Sequence, residues 1–280
     1  DPMARMAAGK LAEKWGLPVV VDNRPGGNTI IGAEIVAKAA PDGYTILLIS
    51  AAFLSTPSLL SYLPYDTVKD FVGVATISKS RHVLVLHPSV KASNLQEFIA
   101  LAKSEPGKLN YGSSGIGTNT HLSGELFDIM AGTKMQHIPY KGSGPLLSDL
   151  IGGQVQLSFQ VPISVISHIK SGRLKPIAIT GETRASALPQ VPTFTEVGLP
   201  GFGVMGWFGI AAPAGTPKAI IDKISREMAA ILSRPDIQEH LAKQGSEAFI
   251  STPEQVAALI KADVAKYARI IKAANVKIEK

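Results

Sequence analysis

The chain has 280 residues, 45% of them apolar and 18% charged, which suits two ordinary domains with buried cores and excludes a disordered chain. Its formal net charge is +6, but the lysines and arginines are scattered without a basic run, which argues against nucleic acid and leaves a mild field favouring acidic ligands. There is no cysteine, so disulfides, thiolate nucleophiles and cysteine metal sites drop out together, and no apolar run nears the roughly eighteen residues of a membrane span.

The opening DPMARMAAGKLAEKWG reads as a helix from its first residue. Asp1 suits the N-cap, Pro2 suits N1, and Met3, Met6, Ala7 and Leu11 share one face. No signal peptide is visible, and an α/β pattern that starts on a helix cap reads as one that has lost an upstream segment. LPVVVDN (17–23) reads as a short buried strand, NRPGGN (23–28) as a turn into a helix ending near Pro41-Asp42-Gly43, and TILLIS (45–50) as the next strand. Such unalternated apolar runs belong to strands covered on both faces. SAAFLSTP (50–57) closes that strand and offers Ser50, Ala51, Phe53 and Ser55 to a cleft.

RHVLVLHPSV (81–90) is a strand running into a proline break, and 94–109 an amphipathic helix. The loop NYGSSGIGTNTH leads to a helix at 121–132, a strand at 134–140, a helix at 142–153 and a strand at 155–160. A helix from Pro162, a strand at 174–181 and an irregular connection follow. WFGIAAPAGTP (207–217) is a second strand leaving at a proline, before helices at 217–233, 235–244 and 253–273. Two such crossings suggest one lobe inserted in another, an outer lobe of 1–87 with 208–280 and an inner lobe of 88–207, with a hinge at the crossings.

GSSGIGT (112–118) lies between strand and helix, so amides and a helix N-terminus address one spot. Ser113, Ser114, Thr118 and Thr120 add hydroxyls, while the lysine of a P-loop and the third glycine of a dinucleotide fingerprint are missing. The plainer reading is a capped turn. IPYKGSGP (138–145) repeats the strand-to-helix arrangement with Tyr140, Lys141 and Gly142, and Gln160 ends a strand at the carboxyl side where ligands of open α/β sheets lie. Ser114 and His121 are close in sequence, yet no carboxylate or oxyanion hole completes a hydrolytic triad. The other histidines show no metal spacing.

Four blocks, VVVDNRPGGNTIIGAEIVAKAAPDGYTILL, NYGSSGIGTNTHLSGELF, HIPYKGSGPLLSDLIGGQV and GWFGIAAPAGTP, closely resemble the periplasmic substrate-binding proteins of tripartite tricarboxylate transporters, the Bug family. The resemblance spans essentially the whole chain. It implies a type II periplasmic-binding-protein α/β fold of two lobes with a closing cleft and a small carboxylate held by amides and hydroxyls. It implies no cofactor, no metal and no catalysis, a periplasmic monomer, and membrane permease subunits as partners. The expected ligand residues are Ser113, Ser114, Gly115, Gly117, Thr118, His121, Tyr140, Lys141, Gly142 and Gln160 in the inner lobe, with Ala51, Phe53 and Asp1 in the outer. Asp1 matches the aspartate that closes a Pro-Gly-Gly-x-x-Asp loop in members of the family. Many members carry Asp where this chain has Gln160, a swap expected to alter ligand choice. A sensing subunit is an alternative role, and a serine hydrolase using Ser114 and His121 a weaker one.

Overall fold

A computed structural model describes residues 2–24 and 29–276. The chain divides into two units, one formed by the residues up to Lys79 with Trp207–Arg269, the other by Ser80–Gly206 with the segment from Ile270 onward. Strand β3 (Val83–Leu86), which the sequence reading puts at a crossing, lies inside the sheet of the second unit.

In the first unit, β1 (Leu47–Ile49), β2 (Phe71–Ser80), β8 (Gly206–Pro213) and β9 (Ser246–Ala248) form a sheet ordered β1-β8-β2-β9. β1 runs antiparallel to β8, Leu47 opposite Ala211. Helix α1 (Pro2–Trp15) turns Met3, Ala7 and Leu11 into a core with Val74, Ile77 and Ile210 of the sheet and Ile221, Ile224 and Met228 of α8 (Lys218–Leu232). That is the face its sequence spacing predicts. α9 (Pro235–Lys243) adds Ile237 and Leu241 to this core. α10 (Pro253–Ala273) supplies Asp263, whose Oδ2 accepts from Trp207 Nε1 at 2.7 Å.

Three sequence expectations change here. Residues 17–23 form no strand: Leu17 is 65% and Val20 84% exposed, while Val19 packs on the core. Pro18 has no N–H to give a ladder, and the segment pairs with no strand among the described residues. SAAFLSTP becomes a helix, α3 (Ala51–Leu59), after α2 (Ile30–Ala37). Burial of Ala51, Phe53, Leu54 and Leu59 outweighs the backbone bond lost at Pro57. β2, the ten-residue strand of this sheet, is absent from the sequence reading.

In the second unit, β3 (Val83–Leu86), β4 (Asn110–Ser113), β5 (Gln136–Pro139), β6 (Leu157–Gln160) and β7 (Lys175–Ile179) are ordered β5-β4-β6-β3-β7. β4 is parallel to β5 and β6, and β3 is antiparallel to β6 and β7. Both faces are covered. Leu84 and Leu86 join Phe98 of α4 (Leu95–Ser104) and Phe127 of α5 (Asn119–Ala131) on one side. Val83 and Val85 join Leu146 and Leu150 of α6 (Ser143–Ile151) and Val165 of α7 (Pro162–Lys170) on the other. Successive strand side chains point to opposite faces, so a strand clothed twice reads as an unbroken apolar run. Among the described residues no helix is long and apolar enough to cross a membrane.

Candidate functional site

β4 ends at Ser113, and the chain turns through Ser114–Thr118 into α5, whose N-cap is Thr118. Gly115 and Gly117 have φ of 137° and 77°, backbone that side chains with a Cβ adopt only with strain. The sequence reading gives these amides to a ligand, but the structure commits most of them to the loop itself. Ser114 N–H donates to Thr120 Oγ1 at 2.9 Å, Gly115 N–H to Ser113 Oγ at 3.2 Å, Gly117 N–H to His121 Nδ1 at 3.0 Å and Thr118 N–H to the Gly115 carbonyl at 3.3 Å.

The hydroxyls are ordered too. Thr118 Oγ1 donates to the Gly115 carbonyl at 2.7 Å and lies 2.9 Å from Thr120 Oγ1, itself 3.0 Å from Ser114 Oγ. One proton per hydroxyl then makes Thr120 the donor to Thr118 and leaves Ser114 as the hydroxyl with a choice of acceptor. Thr118 makes no side-chain cap. The first-turn amides of α5 at Asn119 and Thr120 lie beyond the reach of any helical carbonyl. With Ser114 Oγ they make a group of donors at a helix N-terminus, a kind of place that favours an anion.

Beneath the loop is a buried polar stack. His121 is 1% exposed. Its ring lies 3.9 Å from that of His137 at an interplanar angle of 19°, and Tyr111 stacks on His137 at 4.9 Å. His121 Nε2 is 3.4 Å from Glu125 Oε1, the oxygen that accepts from the Tyr111 hydroxyl. His137 Nε2 is 2.6 Å from Ser113 Oγ. Burial, then the neighbouring His121, pushes the His137 imidazole down to about 3, so it is neutral at ordinary pH. Burial, then Glu125, pushes the Tyr111 phenol up.

One donor atom each from His121, Glu125 and His137 falls within 4.8 Å of the others, a set of types that suits a transition metal. The imidazoles, however, lie face to face, so their in-plane lone pairs run side by side instead of converging. His121 Nδ1 and His137 Nε2 are also already engaged by Gly117 and Ser113. The group is a hydrogen-bonded support. Linear spacing hides it, because the parallel register of Tyr111 opposite His137 creates it.

The second loop is stitched to the first. Tyr140 N–H donates to the Ser113 carbonyl at 2.9 Å and Gly142 N–H to the Ser114 carbonyl at 3.3 Å. The Tyr140 hydroxyl donates to Asp149 Oδ2 at 2.8 Å, and burial followed by this bond pushes the phenol up to about 12. Lys141 is exposed. Gln160, 3% exposed at the end of β6, donates from Nε2 to Ser158 Oγ at 2.8 Å, and its Oε1 is 3.4 Å from Ser164 Oγ. Ser158 Oγ in turn donates to the Gly112 carbonyl at 2.7 Å.

The structure therefore brings Ser113–Thr118, His121 and Tyr140–Gly142 together, with Gln160 in the same unit. Ala51 and Phe53 lie in the other unit on α3, and the Phe53 ring belongs to a core trio with Tyr65 at 6.1 Å and Phe71 at 5.1 Å. Asp1 lies outside the described residues. The hydrolase reading fails on geometry as well as on its missing third residue. Both ring nitrogens of His121 face Gly117 and Glu125 instead of Ser114. Sequence reasoning also passes over Asn119 as a site residue, and over His82, a buried ring bonded to the Val204 backbone. Both approach Gly206 closely: a Cβ there would sit 2.8 Å from Asn119 Nδ2 and 3.1 Å from the His82 ring.

Comparison with known proteins agrees with this fold. The chain is 37% identical to the Bug protein BugT of Bordetella pertussis (strain Tohama I) over 284 aligned residues, covering all of this chain and 86% of that protein. A Rhodopseudomonas palustris protein solved with adipate superposes with a TM-score of 0.86 at 32% identity, covering 99% of this chain and 94% of the other. MatC from the same organism, solved with bound malate, gives 0.81 at 28% identity over 97% and 94% of the two chains. The model for the tripartite tricarboxylate transporter family receptor matches residues 3–276, and the chain belongs to that family of receptors.

Proposed function

We propose that the protein is a periplasmic solute-binding protein that captures a small carboxylate and passes it to the membrane permease subunits of a tripartite transporter. The observation that carries this reading is the donor set at the head of α5. Ser114 Oγ lies 3.0 Å from Thr120 Oγ1 at the start of the helix, beside first-turn amides that no helical carbonyl reaches and where a helix N-terminus favours an anion. Adipate and malate in the two solved relatives support a carboxylate as the ligand. Each hydrogen bond to the charged group contributes about 1.5–3 kcal/mol, so the first turn of α5 and Ser114 suffice for one carboxylate without a salt bridge.

A thermal-shift panel of di- and tricarboxylates, acidic amino acids and aromatic acids tests this. A true ligand at about hundredfold excess over its dissociation constant stabilises the fold by about 2.7 kcal/mol, a rise in Tm of several degrees. A flat response across the panel sinks the reading. Capture by closure of the two lobes, the motion suggested by the two crossings, predicts a smaller radius of gyration with the hit ligand by small-angle scattering.

A further inference from the structure

The buried stack under the loop does something that burial alone does not require. His121 sits in the first turn of α5, where a helix has no need of an imidazole. Because its Nδ1 accepts from Gly117 N–H, the ring is the tautomer with its proton on Nε2, and Nε2 faces Glu125 Oε1. Glu125 is itself held by the Tyr111 hydroxyl, and Tyr111 is fixed by β4 and by Gly124, where a Cβ would sit 2.3 Å from the tyrosine ring. On the far side of the stack, His137 meets Ser113 Oγ, which meets both the N–H and the carbonyl of Gly115. Both positive-φ glycines of the loop are thus tied to one stacked imidazole pair.

We propose that Tyr111 and Glu125 are positioning residues for ligand binding: they set the tautomer of His121, and His121 then latches the Gly117 amide and holds the loop in the shape that aims Ser114 and the head of α5 at the carboxylate. In this scheme His121 touches no ligand and acts through the loop. The proposal rests on the reading of this loop as the carboxylate site, and its test separates the two.

The test uses replacements that put an amide at one ring nitrogen or the other. An asparagine side chain places its carbonyl oxygen near the Nδ1 position, whereas a glutamine reaches the Nε2 position. H121N therefore keeps an acceptor for Gly117, and H121Q loses it although it is the larger and more His-like in volume. Two quantities are measured on the intact protein: amide hydrogen exchange at Gly117 without ligand, and affinity for malate and adipate by calorimetry.

The expected result is Gly117 exchange close to the parent in H121N and about tenfold faster in H121Q, with affinity following the same order by about tenfold. Y111F, which removes the hydroxyl that steadies Glu125, falls between them. Exchange of core amides in β4 reports whether each variant is folded. Equal Gly117 exchange in H121N and H121Q, both folded, overturns the latch. If exchange separates the variants while malate and adipate affinities do not move, the latch stands but its role in binding is overturned, and the carboxylate site lies elsewhere.

Discussion

The side chain of Ser113 is fully buried and shared between His137 Nε2 and the backbone of Gly115, whereas Ser114 is half-buried and its hydroxyl proton has a choice of acceptor. Two adjacent serines therefore have different work. Ser113→Ala leaves a ring nitrogen and an amide unpaired in the interior, a loss of about 1–3 kcal/mol that urea denaturation reads as a lower midpoint with an unchanged slope. Ser114→Ala removes one donor to a charged ligand, so calorimetry reads an affinity lower by tenfold or more, from about 1.5–3 kcal/mol, with the midpoint close to the parent. The reverse pattern in the two variants puts the ligand on Ser113. Sequence alone does not separate them, because both belong to one Ser-Gly-rich turn and only the β4–β5 pairing brings His137 to the first.

At the scale of elements, the helices with one strong apolar stripe, α1, α4 and α8 to α10, are plain from periodicity, and so are the doubly covered strands β3 and β6. Periodicity fails where a neighbour decides. Residues 17–23 have the composition of a strand but no ladder partner among the described residues. α3 looks like a loop because of Pro57 and its hydroxyls, yet tertiary burial makes it helical. β2 escapes notice because Gly73, Thr76 and Ser78 break its apolar run while the sheet buries most of it. The end of β6 also carries a prediction. The Gln160 amide donates to Ser158, whose own proton goes to Gly112, so a carboxylate at this position meets an oxygen with no proton to give. Gln160→Asp is expected to lower stability by about 1–3 kcal/mol and to shift preference from malate toward aspartate, whose amine pairs with the new charge. An unchanged ligand profile by calorimetry rules that preference out.

For the whole molecule, acid is the informative stress. Burial pushes His82 down to about 4 from 6.5, partly offset by its bond to the Val204 backbone. Below about pH 6.5 the unfolded chain takes up a proton at this site that the folded chain refuses until about pH 4, so stability is complete above that window and falls as pH drops through it, by about 3 kcal/mol in all. His137 acts in the same direction. Denaturation midpoints measured from about pH 7 to 4 show this slope in the parent and a shallower one in H82F; parallel slopes remove His82 as the cause. The loop at the head of α5 has a further consequence. Its donors are fixed dipoles and a hydroxyl, with no formal positive charge among residues 113–121. Ion pairs weaken as dissolved electrolyte shortens the Debye length, but a dipole in contact with its anion is already closer than any screening cloud. Raising ionic strength from about 0.05 to 0.5 M is therefore expected to change carboxylate affinity by less than about threefold, leaving this receptor equally able to scavenge in dilute and in salty surroundings.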